Sequence, residues 1–303
     1  MEEILVSVVI PTYSRNDTLK RAIGSVLCQT YSNIEIIVVD DNPADSKWRK
    51  RTEEIMKEYT DSRIRYIQNE KNLGGGLTRN EGIKASKGSF VAFLDDDDEY
   101  LPERLEKQIK VFTDSDNEKL ALVYCYAKFI NGKGTSTYSD KRDFRGNCIF
   151  EAMAENCIAA TSQWMVKREA LIKVGCFPDV PCKQDSQTIL RLLKAGYEVD
   201  VLKEELSLYY DVDHVISGAG KKNILGESLY RTECRKLYYL LEDWQIMKVE
   251  YKFAEQFYRY YKLNHMKEAT SHEKKIMKML DRKAYTLFMM KESYHWAKRV
   301  LKK

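Results

Sequence analysis

Three observations predict an α/β fold: a doubly wound, mostly parallel sheet flanked by helices, with a C-terminal helical extension. Apolar strand-like runs alternate with amphipathic helical stretches through the first 100 residues. The runs end on polar or turn-forming residues, at Pro11-Thr12, Asp40-Asp41 and Asp95. From about Lys221 onward proline is absent, and helical patterns rich in Tyr, Met and Lys replace the alternation.

In order along the chain, Val6 to Ile10 reads as a buried strand stopped by Pro11. A helix capped near Asn16 or Asp17 follows, with Leu19, Ile23, Val26 and Leu27 on one face. Ile34 to Val39 is the second buried strand, Ser46 to Tyr59 a charged helix, and Ile64 to Ile67 a short third strand. Asn72-Leu73-Gly74-Gly75-Gly76 turns into a helix from about Leu77 to Ser86, and Phe90 to Leu94 is the fourth strand. Strand-helix alternation at this spacing implies right-handed βαβ units. Leu101 to Phe112 reads as a helix, Leu120 to Phe129 as a strand, and Gly132 to Gly146 as a loop or hairpin. Thr161 to Lys167 is a further strand, followed by helices Arg168 to Val174 and Asp185 to Ala195. The shift near Gly218 to Lys222 divides the chain into residues 1–220 and 221–303.

Composition narrows the class. At 303 residues, with 44% hydrophobic and 32% charged side chains, the chain can build a substantial core. No apolar run approaches the ~20 residues of a membrane helix, and no basic, apolar and small-residue sequence suggests a secretory signal, so a cytoplasmic protein is expected. Seven cysteines without a Cys-x-x-Cys pair argue against a disulfide framework and a structural zinc site. Residues 221–303 carry 20 of the 50 basic and 10 of the 46 acidic side chains, net +10, which leaves −6 on residues 1–220. In the last helix Leu287, Met290, Tyr294, Ala297 and Leu301 form a stripe opposite Lys291, Lys298 and Lys302. Packing on a neighbouring helix is the first reading of that stripe; peripheral contact with an anionic membrane at the inner face of the cell, or a homodimer interface, stays open. No nucleic-acid partner is expected.

The chemistry-bearing feature is Asp95-Asp96-Asp97-Asp98, delivered by a buried strand to its own C-terminal edge, where open α/β sheets bind ligands. Adjacent carboxylates raise one another's pKa, a cost that a hard divalent cation relieves. A solvated acidic loop is the alternative.

Around this run the chain resembles glycosyltransferase family 2, the inverting nucleotide-sugar transferases with the GT-A fold. The resemblance rests on an ordered set: Val6 to Tyr13, Ser25-Val26-Leu27-Cys28-Gln29-Thr30-Tyr31, Glu35 to Asp41, Asn72-Leu73-Gly74 with Thr78-Arg79-Asn80, Ala85 to Gly88, and Phe93 to Asp98 with Tyr100 to Leu105. It spans roughly residues 4 to 215. It implies that Asp41 accepts the N3–H of a uracil-type base, that Pro11, Thr12 and Tyr13 line the base pocket, and that Arg79 lies near the nucleotide. Within Asp95-Asp96-Asp97, Asp97 would bind Mn²⁺ or Mg²⁺ and Asp96 the ribose hydroxyls or a metal water, with Asp95 beside them. Asp185 matches the catalytic base, although Gln184 stands where the family more often has Glu. His214 is a candidate phosphate or metal contact.

Each assignment has a plainer counterpart. Asp41 could cap the next helix from an exposed loop, Arg79 could pair with a glutamate on a helix surface, and Asp185 could be the N-cap of the helix it opens. The processive Gln-x-x-Arg-Trp pattern is absent at Gln187 to Leu192, which favours addition of one or a few sugars. The implied partners are a nucleotide-sugar donor, most simply a UDP-sugar, and a glycan or lipid-linked oligosaccharide acceptor. A sugar nucleotidyltransferase lacks its glycine-rich signature between Pro11 and Asn16, a dehydrogenase lacks Gly-x-Gly-x-x-Gly after a strand, and a non-catalytic binding module would have no need of Asp41, Asp97 and Asp185 together.

Overall fold

The computed structural model describes residues 4–15, 18–132, 134–155, 158–210 and 220–300, the last six of these through their backbone. The chain divides into two units, residues 1–152 with 157–216, and residues 153–156 with 217–303.

In the first unit the elements run β1 (Val6–Thr12), α1 (Leu19–Leu27), β2 (Ile34–Asp40), α2 (Lys47–Lys57), β3 (Ile64–Gln68), α3 (Gly75–Ala85), β4 (Phe90–Phe93) and β5 (Glu99–Tyr100). They continue as α4 (Arg104–Thr113), β6 (Leu120–Ile130), β7 (Ser136–Asp140), α5 (Ile149–Ala154, its last two residues counted with the second unit), β8 (Trp164–Lys167), α6 (Arg168–Lys173), α7 (Gln184–Lys194) and β9 (Glu198–Tyr210). One sheet takes them in the order β3-β2-β1-β4-β8-β6-β9-β5, with β7 pairing β6 as a hairpin. Pairing is parallel across β3, β2, β1 and β4 and between β6 and β9. It is antiparallel at β8 against both neighbours and at β5.

Alternation along the strands builds a core on each face. Val6, Val8, Ile10, Ile36 and Val38 point to the side covered by α1 and α4, meeting Leu19, Ile23, Val26, Leu105 and Ile109. Val9, Ile37 and Val39 point to the other side, with Ile83 of α3 and Ile189, Leu192 and Leu193 of α7. Full burial of each such side chain is worth about 1.5–3 kcal/mol. Gly82 lets α3 press onto β1, since a Cβ there would lie 2.3 Å from Val9 Cγ1.

The chain leaves β1 toward β2 and β3, then returns to place β4 on the other flank of β1. The strand order therefore reverses between β1 and β4. A crevice opens at the carboxyl ends of two strands where their connections diverge, so the topology puts the ligand position at Thr12 and at the loop after Phe93.

Four elements differ from the sequence reading. Residues 161–163 form a single 3₁₀ turn before β8. None of β5, α5 and β9 was predicted. β9 is buried at Val199 and Val201 but polar at Lys203, Glu204 and Glu205, and it is held by pairing to β6 and β5 rather than by an apolar run.

The second unit comprises α8 (Lys221–Arg235), α9 (Asp243–Leu263), α10 (Lys267–Leu280) and α11 (Arg282–Val300). Its core gathers Tyr251, Ala254, Tyr258, Met277 and Phe288. The stripe predicted to pack in α11 does not: Leu287, Met290 and Tyr294 are all more than half exposed. Phe288 is the buried residue instead, edge-on to Tyr258 at 5.4 Å. Ala297, Leu301, Lys298 and Lys302 lie outside the described side chains. Apart from Tyr13, Tyr138 and Ile172, the exposed large apolar side chains among the described residues are all beyond residue 220.

Candidate functional site

β1 ends on Thr12, whose hydroxyl donates to Asp96 Oδ2 at 2.7 Å, and the Tyr13 N–H reaches the same oxygen at 3.4 Å. The two strand ends flanking the switch point are thus tied by a side-chain bond 84 residues apart in sequence. Ser14 then takes a left-handed backbone conformation (φ 55°), with its N–H bound to Asn42 Oδ1 at 2.8 Å. That turn sends Arg15 back over the acidic loop, where its guanidinium pairs with Asp97 and lies 3.9 Å from Asp96 Oδ1. Pro11 sits in the strand opposite Val39, and Tyr13 is exposed at the crevice edge.

The four aspartates have four environments. Asp95 pairs with Arg79, and its N–H donates to Ser162 Oγ at 3.0 Å. Asp96 is buried; loss of water pushes its carboxyl up to about 7, opposed by the Thr12 hydroxyl, Arg15 and the Tyr13 N–H, and reinforced by the charge of Asp95. Asp97 carries the Arg15 pair, and its carbonyl accepts from Arg21 Nη2 at 2.6 Å. Asp98 turns inward and is also pushed well above the carboxylate range, first by burial and then by Asp95. The run is therefore not a solvated loop.

Asp41 is 3% exposed and does not cap α2, whose N-cap is Ser46. Its carboxylate accepts from Asn69 Nδ2 (2.8 Å), the Leu73 N–H (2.8 Å) and the Gly74 N–H (2.9 Å). A carboxylate offers about four acceptor positions, so one remains. Arg79 is likewise not a surface residue: it is buried, bonded to Asp95 and to the Gly75 carbonyl (3.1 Å).

Asp185 lies in the first turn of α7, and the N-cap is Lys183, in a left-handed conformation (φ 65°). Asp185 Oδ1 accepts the Ser186 N–H at 2.7 Å. Its neighbour Gln184 packs on the start of α3: a Cβ on Gly76 would lie 3.3 Å from Gln184 Cβ, and one on Gly75 would lie 3.1 Å from Arg79 Nη1 and 3.9 Å from Gln184 Nε2. The glycines after Leu73 thus let α7 dock beside the Arg79–Asp95 pair. Asn80 fastens the segment leading to α7, exchanging bonds with the Phe177 carbonyl (2.8 Å) and N–H (3.0 Å). His214 lies outside the described residues.

Several contributors escaped sequence reasoning: Arg15, Asn42, Asn69, Ser162, and the lip formed by Arg21 over the Tyr210 ring (3.6 Å) with Tyr210 donating to Glu99 (2.7 Å). Arg15, three residues past Thr12, and the amide-rich stretch Asn69 to Asn72 were the available signals.

The donor set at Asp96 and Asp97 consists of hard carboxylate oxygens facing a position where a cation, the Arg15 guanidinium, already sits. Among the described residues no three His, Cys, Asp or Glu side chains converge as a metal site. Mg²⁺-type ions are commonly held by one or two carboxylates, with substrate phosphates and water completing the shell, so the residues fit such an ion.

A family model described as glycosyl transferase family 2 matches residues 7–175. An uncharacterised glycosyltransferase of Methanocaldococcus jannaschii is 34% identical over 213 residues, 69% of this chain and 71% of that one. The putative teichuronic acid biosynthesis glycosyltransferase TuaG of Bacillus subtilis is 30% identical, over 79% of this chain and 92% of its own. The Escherichia coli UDP-Glc:alpha-D-GlcNAc-diphosphoundecaprenol beta-1,3-glucosyltransferase WfaP is 32% identical, over 63% and 71%. Among solved structures, S. aureus TarS 1-349 in complex with UDP-GlcNAc superposes with TM-score 0.64 at 18% identity, covering 92% of this chain and 82% of that one.

Proposed function

The chain belongs to glycosyltransferase family 2, and on that premise we propose that it moves one sugar from a UDP-sugar to a hydroxyl of a glycan or lipid-linked glycan, inverting the anomeric carbon. The observation that carries this reading is the tie between Thr12 and Asp96 at the β1/β4 switch point, with Asp41 held at the end of β2 and Asp97 facing a cation. The UDP donor and the lipid-linked acceptor in the printed name of WfaP, and the polysaccharide pathway in that of TuaG, support the choice of substrates.

In this reading the open acceptor position of Asp41 takes the N3–H of uracil, and Tyr13 and Pro11 border the ring. Asp96 receives the ribose hydroxyls. Asp97 holds Mn²⁺ or Mg²⁺, which when bound supplies Lewis-acid stabilisation of charge on the departing diphosphate. Asp185 accepts the acceptor's hydroxyl proton as its oxygen forms a bond to C1 and the bond from C1 to the diphosphate oxygen breaks, releasing UDP. Arg79, locked to Asp95, keeps one aspartate charge balanced so that the crevice does not repel the diphosphate.

Asp185→Asn separates binding from chemistry. We expect UDP affinity to stay within about twofold and donor turnover to fall by about a thousandfold. Weakened UDP binding with turnover intact would remove Asp185 from the base role.

No helix among the described residues is long and apolar enough to cross a membrane. We propose peripheral attachment at the inner face of the cell membrane, through the exposed Trp244, Met247, Met279, Leu287 and Met290 of the lysine-rich helical unit.

A further inference from the structure

Arg15 is absent from the roles above, yet it occupies their centre. Its backbone is fixed twice: the preceding Ser14 is bonded to Asn42 (2.8 Å), and Thr12 Oγ, besides holding Asp96, lies 3.3 Å from the Arg15 carbonyl. Its guanidinium pairs with Asp97 and lies 3.9 Å from Asp96 Oδ1. Of the other cations at the cluster, Arg79 is buried and committed to Asp95 and Arg21 reaches only the Asp97 carbonyl within it, whereas the Arg15 side chain pairs with the Asp97 carboxylate and keeps 20% exposure. Arg79 is thus buried against a single carboxylate, while Arg15 is part-exposed beside two.

A divalent ion on Asp97 would bring two positive charges to the edge that the Arg15 guanidinium now covers, and the two would repel. We propose that Arg15 is an exchangeable counter-ion: it neutralises Asp97 in the donor-free protein, and when Asp97 takes a divalent ion it swings to the diphosphate of the incoming nucleotide. Guanidinium suits both stations, since its planar donor fork matches carboxylate and phosphate alike. The exchange keeps the acidic run neutralised at every stage and gives the leaving diphosphate a ligand that needs no metal. Arg15 is thus a positioning residue for the donor, and the inference rests on the donor-site reading above.

The test uses the full chain and two probes, UDP and Mn²⁺: each is titrated alone, by calorimetry and by the electron paramagnetic resonance of free Mn²⁺, and UDP is titrated again at saturating Mn²⁺. Arg15→Gln is expected to weaken UDP binding about tenfold at saturating Mn²⁺, where Arg15 has moved to the diphosphate, and to strengthen nucleotide-free Mn²⁺ binding severalfold, because Asp97 is released. Asp97→Asn is expected to do the reverse, tightening metal-free UDP binding and abolishing that of Mn²⁺. Opposite signs in two variants cannot come from a general loss of fold. Arg15→Lys, which keeps charge but loses the fork, is expected to fall between wild type and Arg15→Gln for UDP. Normal UDP binding by wild type together with unchanged affinities in Arg15→Gln would overturn the exchange alone. Failure of wild type to bind UDP at all would overturn the donor-site reading, and the exchange with it.

Discussion

Two carboxylates, the buried Asp96 in the crevice and the half-buried Glu250 in the helical unit, are treated in opposite ways. Glu250 accepts from Arg231 Nε (3.0 Å), Arg235 Nε (2.7 Å) and the Tyr238 hydroxyl (2.7 Å). Burial works against its charge, but these donors win and hold the carboxyl down at about 2. Asp96 has one hydroxyl, one long N–H contact and an arginine at 3.9 Å; there burial wins and the carboxyl is pushed up. A structural acid is saturated by its own chain, whereas the crevice acid is left short of donors. The missing partners are what a ligand brings, and this is why a strained cluster marks a site when a comfortable one does not.

The contrast breaks first at Glu250. Glu250→Gln leaves two arginines around a neutral amide and should cost about 2 kcal/mol, read as a lower urea midpoint, while UDP affinity stays unchanged. Acid sharpens the same point. Because the folded carboxyl lies below its ordinary value of 4.5, its stabilisation is complete above that value and is lost as pH falls toward about 2. A pH series of unfolding midpoints should therefore show a steeper acid loss in wild type than in Glu250→Gln. Asp96→Asn reverses the pattern: stability holds within about 1 kcal/mol, because an amide avoids the desolvation of a charge, and UDP binding weakens about tenfold. Smallest of all, Met290→Lys on the exposed face of α11 should change stability by less than about 0.5 kcal/mol. It should also measurably reduce flotation with phosphatidylglycerol vesicles if that face meets lipid, and equal flotation would remove Met290 from the contact.

The sheet around the crevice was legible because β1, β2 and β4 are buried on both faces and read as apolar runs, broken only by Ser7 in β1 and Glu35 in β2, that end on Pro11, Asp40 and Asp95. The same alternation placed the acidic run at a strand end. What could not be read depends on distant partners. Arg15 reaches Asp97 only because Ser14 turns left-handed against Asn42 on another strand end. β9 is a strand because β6 and β5 flank it, and its Lys203-Glu204-Glu205 stretch hides that pairing. In α11 the heptad-like stripe was visible, but periodicity does not say on which side the neighbours lie, and Phe288 rather than Leu287 found them. Gln184 could be seen as a departure from the usual glutamate; its use as a spacer against Gly76 depends on how α7 meets α3.

The most direct test of the donor site is a panel of UDP-, GDP-, dTDP- and CMP-sugars, with and without Mn²⁺ or Mg²⁺, read by thermal shift and by slow hydrolysis of the donor. The account predicts stabilisation by a UDP-sugar that is strengthened by the metal and lost in Asp41→Ala. Preference for another nucleotide, or no response to any of them, would contradict it.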